Sequence, residues 1–263
     1  MNMQPGRSYD FRRAIVREPG ASVALGLRAG DTEDPDPALF LQEHRIYVAA
    51  LRDAGLQVMV LPPLEDFPDS VFVEDAALFA AGRAIALRPG AASRHDEALA
   101  IRPALQAASG HVVDLPGDGT IDGGDVLLTD QDAFIGCSAR TDDAGANALA
   151  DLLADWGYTV RRVETPPDIL HFKTDCGLLD SGTIFSTSNL ASTGCFEGYR
   201  VIEAPDGEEA AANLIRINSQ VFINAGYPKT KRLLSAEGYA VRTLPTSQAA
   251  LIDGGLSCMS LRF

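Results

Sequence analysis

Cys258 stands in the closing segment Asp253-Gly254-Gly255-Leu256-Ser257-Cys258-Met259-Ser260-Leu261-Arg262-Phe263. Cysteine is the most nucleophilic common side chain near neutral pH, but only as thiolate. The preceding Gly-Gly pair lets backbone approach a ligand closely. The competing reading is a small buried hydrophobe, the usual fate of a free cysteine. Three other stretches are unusually polar: PDSVFVEDAA with Asp69, Glu74 and Asp75, GTIDGGDV with Asp122 and Asp125, and LHFKTDC with His171. A thiolate needs a proton partner, and an imidazole titrates in the right range. A carboxylate can orient that imidazole, as in a catalytic triad. Further carboxylates in a confined site repel one another unless a cation binds there. A guanidinium, planar and rich in N–H donors, fits that demand. Each residue also has a plain structural reading: His171 as a satisfied core histidine, Asp125 as a turn cap, arginines as solvated surface charges.

These residues are far apart in the chain, so a repeating scaffold must gather them. One pattern recurs: a helix-like stretch, Gly, a short strand and Pro. It appears as AGLQVMVLPP, SGHVVDLP, WGYTVRRVETPP, EGYRVIEAP and EGYAVRTLPT, with Gly55, Gly110, Gly157, Gly198 and Gly238 at the helix-ending position. That position usually requires φ > 0. Between the repeats, AALFA-AGR-AIALR, DVLLT-DQD-AFIGC, GLLD-SGT-IFSTS and NLIRI-NSQ-VFINA read as hairpins. Helical periodicity marks residues 38–54, with Leu39, Phe40, Ile46, Tyr47, Ala50 and Leu51 on one face, and residues 142–156. The missing fifth hairpin forms if FRRAIVRE pairs with CMSLRF. The expected fold class is α/β, a five-bladed α/β propeller of pseudo-fivefold ββαβ repeats, in a single domain over residues 1–263. A doubly wound open sheet is the alternative. In the ring, the segments after the Gly-led strands reach one end of the axis and converge.

The totals agree with such a protein. The 263 residues leave ample room for a core, and 46% are hydrophobic. A formal charge of −14 argues against a nucleic-acid partner and suits a small cationic ligand. The first twenty residues lack the apolar core of a secretory signal, and no run has the apolar length of a membrane span. The four cysteines (137, 176, 195 and 258) show no metal-ligand spacing with the four histidines, which predicts free thiols in a cytoplasmic setting.

The stretches PDSVFVEDAA, IDGGDVLLTDQDAFIGCSARTDDAGA, LHFKTDC, NAGYP and IDGGLSCMSLRF resemble the dimethylarginine dimethylaminohydrolases, a family of the pentein, or guanidino-group-modifying, superfamily. The resemblance runs from Ala14-Ile15-Val16-Arg17 to the C-terminus. It implies the same five-bladed fold and hydrolysis of Nω-methylated L-arginine to L-citrulline and methylamine or dimethylamine. By position it makes Cys258 the nucleophile, His171 the general acid/base and Asp122 the carboxylate supporting the histidine. Asp75 and Glu74 would hold the guanidinium, Asp69 the α-ammonium, and Arg94 and Arg140 the α-carboxylate. Leu27 and Ile252 would line the pocket, partly through backbone groups. The family implies no metal and no organic cofactor, and a homodimer is left open. Arginine deimination by the same machinery is the enzymatic alternative, although the inserted helical region of deiminases is absent. A non-catalytic pentein that binds a partner is the third reading. The Gly/Pro-rich stretch 19–37 is a candidate lid.

Overall fold

The computed structural model of the chain describes residues 8–30 and 32–263. Strand β1 (Arg13–Arg17) pairs in parallel with β2 (Gln57–Leu61), reached through helix α1 (Pro37–Asp53). The next four units each place an antiparallel hairpin beside a parallel third strand. They are β3 (Ala77–Ala80), β4 (Arg83–Ala86) and β5 (Val112–Asp114); β6 (Val126–Leu128), β7 (Asp132–Cys137) and β8 (Thr159–Glu164); β9 (Cys176–Asp180), β10 (Thr183–Ser186) and β11 (Arg200–Glu203); and β12 (Ile215–Ile217), β13 (Gln220–Asn224) and β14 (Ala240–Leu244). Finally β15 (Leu261–Arg262) pairs antiparallel with β1, through Ala14↔Arg262 and Ile15↔Leu261, so the two ends of the chain complete one blade. The result is a five-bladed α/β propeller of five three-stranded sheets, not an open doubly wound sheet.

All five repeat glycines have positive φ, between 74° and 100°, as a helix-ending residue in left-handed backbone requires. Each blade buries its middle strand most deeply: Ile15, Ile85, Phe134, Ile184 and Phe222 are all fully covered. A buried side chain of this size contributes about 1.5–3 kcal/mol from transfer out of water.

Two expectations need correcting. On α1, the buried face is Phe40, His44, Tyr47, Val48 and Leu51, whereas Leu39 and Ile46 are each 40% exposed. The stripe inferred from sequence is wider than the groove the helix packs into. The closing run CMSLRF is strand only at Leu261–Arg262. Upstream, the carbonyls of Ser257 and Ser260 accept from Arg262 Nη1 and that of Cys258 accepts from the Glu74 N–H, so these acceptors serve a turn rather than a ladder.

Candidate active site

The segments that follow β2, β5 and β8 meet the one that follows β14. Asp69, Glu74 and Asp75 come from the first, Asp122 and Asp125 from the second, His171 from the third and Cys258 from the last; all are buried. Ligand atoms of Asp75, Asp122 and His171 lie within 4.8 Å of one another. Close approach depends on Gly124, where a Cβ would stand 2.9 Å from His171 Cγ and from Asp75 Oδ1. A side chain there would have to push the imidazole aside.

His171 is fixed from both sides. Its Nε2 lies 2.8 Å from Asp122 Oδ2, and Asp122 Oδ1 accepts from the Gly90 N–H at 2.7 Å. The next residue, Phe172, is fully buried and stacked on Phe134, and its N–H donates to Asp125 Oδ1. Asp125 also accepts from the hydroxyls of Ser138 and Thr141, so three elements converge on it. Burial raises the Asp125 pKa. For His171, burial would lower the pKa, but the Asp75 charge, the Asp122 hydrogen bond and Asp125 outweigh it and push it up to about 9. The imidazole is therefore a cation near neutral pH.

The Cys258 thiol is pushed up to about 11, first by burial and then by the charges of Asp75 and Glu74. At rest the thiol is neutral and the imidazole is protonated. Thiolate formation then needs added positive charge.

The binding residues divide into those with open groups and those already engaged. Asp75 Oδ1 accepts from the Gly124 N–H, and Oδ2 accepts from Arg94 Nη1 at 2.6 Å. Arg94 is itself buried, and its remaining donors go to both oxygens of Glu97 and to the Asp69 and Phe72 carbonyls. Its guanidinium thus faces protein carboxylates here. Arg140 is half-buried and makes no ion pair among the described residues. Asp69 sits in its field and Arg94's, although burial still raises its pKa. The Leu27 N–H donates to Asp69 Oδ1 at 2.9 Å, and the Ile252 side chain lies against Gly26, which places Leu27, Asp69 and Ile252 together. The stretch 19–37 is also tied down where the Ala29 N–H donates to Asp253 and the Asp36 N–H to Gln248. Asp31 lies outside the described residues.

Glu74 differs from its neighbour. Its Oε1 accepts from Lys173 Nζ and Arg262 Nη2, both at 2.7 Å, and Oε2 has no partner among the described residues. Lys173 and Arg262 sit inside LHFKTDC and CMSLRF, but neither was singled out from sequence. All three also line a cavity of about 300 Å³ walled by first strands of the blades, which does not include Cys258 or His171. Asn213 was likewise missed. Its Oδ1 accepts from the Ser257 N–H at 3.0 Å, and its Nδ2 lies 3.9 Å from Cys258 Sγ. The signal for it is the repeat itself, because the segment after β11 holds the place from which the other four units each send polar groups to the centre.

Comparison with known proteins completes the picture. The profile of the eukaryotic N,N dimethylarginine dimethylhydrolase family matches residues 29–172. The N(G),N(G)-dimethylarginine dimethylaminohydrolase of Pseudomonas aeruginosa is 38% identical over 256 residues, covering 96% of this chain and 100% of that one. The protein of the same name from Streptomyces coelicolor is 31% identical over 254 residues, covering 95% and 96%. A structure of the Pseudomonas enzyme, a cysteine-to-serine variant complexed with citrulline, superposes with a TM-score of 0.93 at 37% identity, over 97% of this chain and 100% of that one. The N-terminal domain of a cyanobacterial arginine dihydrolase shares the fold, with a TM-score of 0.82 at 19% identity over 96% and 97%. The chain belongs to the dimethylarginine dimethylaminohydrolase family.

Proposed function

We propose that the chain hydrolyses Nω-methylated L-arginine to L-citrulline and methylamine or dimethylamine through a covalent intermediate on Cys258. The carrying observation is the 2.8 Å pair of His171 Nε2 and Asp122 Oδ2, gathered with Asp75, whose charge also acts on the buried Cys258 thiol. The citrulline bound to the Pseudomonas relative supports the same product.

Asp75 receives the substrate guanidinium and aims its central carbon at Cys258, with Glu74 Oε2 as the one open oxygen of the neighbouring carboxylate. The cation counters the carboxylate charges that hold the thiol neutral, so substrate binding itself promotes release of the thiol proton to bulk water, the one proton the cycle liberates. The thiolate adds to the guanidino carbon. The imidazolium of His171 then protonates the departing amine, which leaves an S-alkylthiouronium cation. Neutral His171 next takes a proton from water, whose hydroxide adds to the same carbon.

Asp69 receives the α-ammonium, Arg140 the α-carboxylate, and Leu27 and Ile252 bound the pocket. Arg94 joins Arg140 only if substrate draws its guanidinium from Asp75 and Glu97. The four unpaired cysteines suit a reducing compartment, in keeping with a cytoplasmic enzyme.

Citrulline release from asymmetric dimethylarginine, with plain arginine and Cys258→Ala alongside, tests the reading. Release from the methylated substrate, lost in the variant, is expected. Release mainly from arginine would make it a deiminase, and release undiminished in Cys258→Ala would remove Cys258 as nucleophile.

A further inference from the structure

Asn213 is the contribution of the fourth inter-blade segment to the centre. It stands two residues ahead of β12, as Asp75 stands two residues ahead of β3. The side chain is 7% exposed, and among the described residues the only hydrogen-bond partner of its Nδ2 is the Cys258 sulfur at 3.9 Å. Its Oδ1 is held by the Ser257 N–H, which fixes which face of the carboxamide points at the sulfur. Gly255 makes room: a Cβ there would lie 2.5 Å from the Asn213 carboxamide. The other polar neighbours of the sulfur are Ser257 Oγ, at 3.8 Å, and the Gly255 backbone N–H.

The chemistry proposed above needs a stationary donor at one moment in particular. In the first half of the cycle the substrate supplies a cation beside the sulfur. In the second half the product forming is a neutral ureido group, while the nearby Asp75 and Glu74 remain. Hydroxide has added to the guanidino carbon, and His171 holds the proton taken from water. When the C–S bond breaks, its electron pair goes to sulfur. The hydroxyl proton of the collapsing adduct then passes to that sulfur, giving citrulline, a neutral thiol and the resting imidazolium. A fixed N–H donor lowers the barrier to developing charge because it does not have to reorganise. A carboxamide suits the role, since it donates at every pH and adds no charge.

We propose that the Asn213 carboxamide is a fixed side-chain hydrogen-bond donor to the Cys258 sulfur, and that it acts chiefly when the covalent intermediate expels that sulfur. The assignment rests on Cys258 being the nucleophile.

Asn213→Ala removes the donor without adding charge beside the thiol, and Asn213→Leu, closer in volume, serves if that variant does not fold. In substrate-free protein, the pH profile of Cys258 alkylation by iodoacetamide should move upward by about one pH unit or more, because the thiolate loses a donor. In quenched turnover of asymmetric dimethylarginine, mass spectrometry should show the Cys258 adduct accumulating, and kcat and KM should fall together. An alkylation profile that superimposes on the unsubstituted protein's, in a folded variant, would overturn the proposal. So would a kcat loss without adduct accumulation. Because alkylation needs no substrate, it decides the Asn213 question even if methylarginine turnover fails. Turnover by the unsubstituted protein with an unmoved variant profile would sink this inference alone.

Discussion

Arg94 Nη1 donates to Asp75 Oδ2 at 2.6 Å, so the carboxylate proposed to receive the substrate guanidinium already holds a protein guanidinium. Burial opposes charge on both partners, yet mutual attraction holds Asp75 below and Arg94 well above their ordinary values. Asp75 therefore reaches the site as a pre-formed anion. Replacing Arg94 by Met leaves Asp75 and Glu97 buried without their partner, and removing one member of such a set costs about 3–5 kcal/mol. The melting midpoint should fall by roughly 10 °C. A raised KM with an unchanged midpoint would instead put this guanidinium on the substrate's α-carboxylate.

The propeller was legible because its punctuation is physical. Gly55, Gly110, Gly157, Gly198 and Gly238 all need left-handed backbone, which only glycine adopts freely. The pairing of FRRAIVRE with the C-terminus followed from counting hairpins, although Arg262 and the Glu74 N–H consume the carbonyls that would have lengthened β15. Cys258, His171 and the carboxylates were legible because their residue types are rare in apolar surroundings. Asn213 was not, since it ends the run EEAAAN, where nothing announces chemistry. The partner of Arg94 was also beyond reach, because an arginine fits a substrate carboxylate and a protein carboxylate equally well. Exposure of Leu39 and Ile46 depended on groove width, which periodicity does not encode.

His44 and His171 make stability depend on pH in opposite senses. Both ring nitrogens of His44 are buried without partners among the described residues, and burial, aided by Arg45, pushes its pKa down to about 4. The unfolded chain takes up that proton from about pH 6.5, so stability drains away as pH falls toward 4. The loss reaches about 2 kcal/mol at pH 5. His171, raised to about 9, gives its full contribution below pH 6.5 and loses it as pH rises through 9. Urea unfolding of His44→Leu should therefore show a stability gain at pH 5 that exceeds the gain at pH 8 by about 2 kcal/mol. Equal gains at the two pH values would show that His44 is not the group responsible for acid sensitivity.

Asp122 can be separated from a packing role by its effect on the pH range of activity. Asn at this position keeps an oxygen for the Gly90 N–H but removes the charge 2.8 Å from His171 Nε2. The imidazolium then loses its proton at lower pH, and fewer molecules can protonate the departing amine. Asp122→Asn should lower kcat by about 10²–10⁴-fold, the usual worth of a positioned general acid. The deficit should widen as pH climbs from 6 toward 9, where the unsubstituted protein still holds the proton. Asp122→Glu retains the charge and should keep the pH dependence while losing some rate to altered geometry. A deficit of the same size at every pH would mean that Asp122 acts only by shape, and His171 would then owe its proton to Asp75 and Asp125.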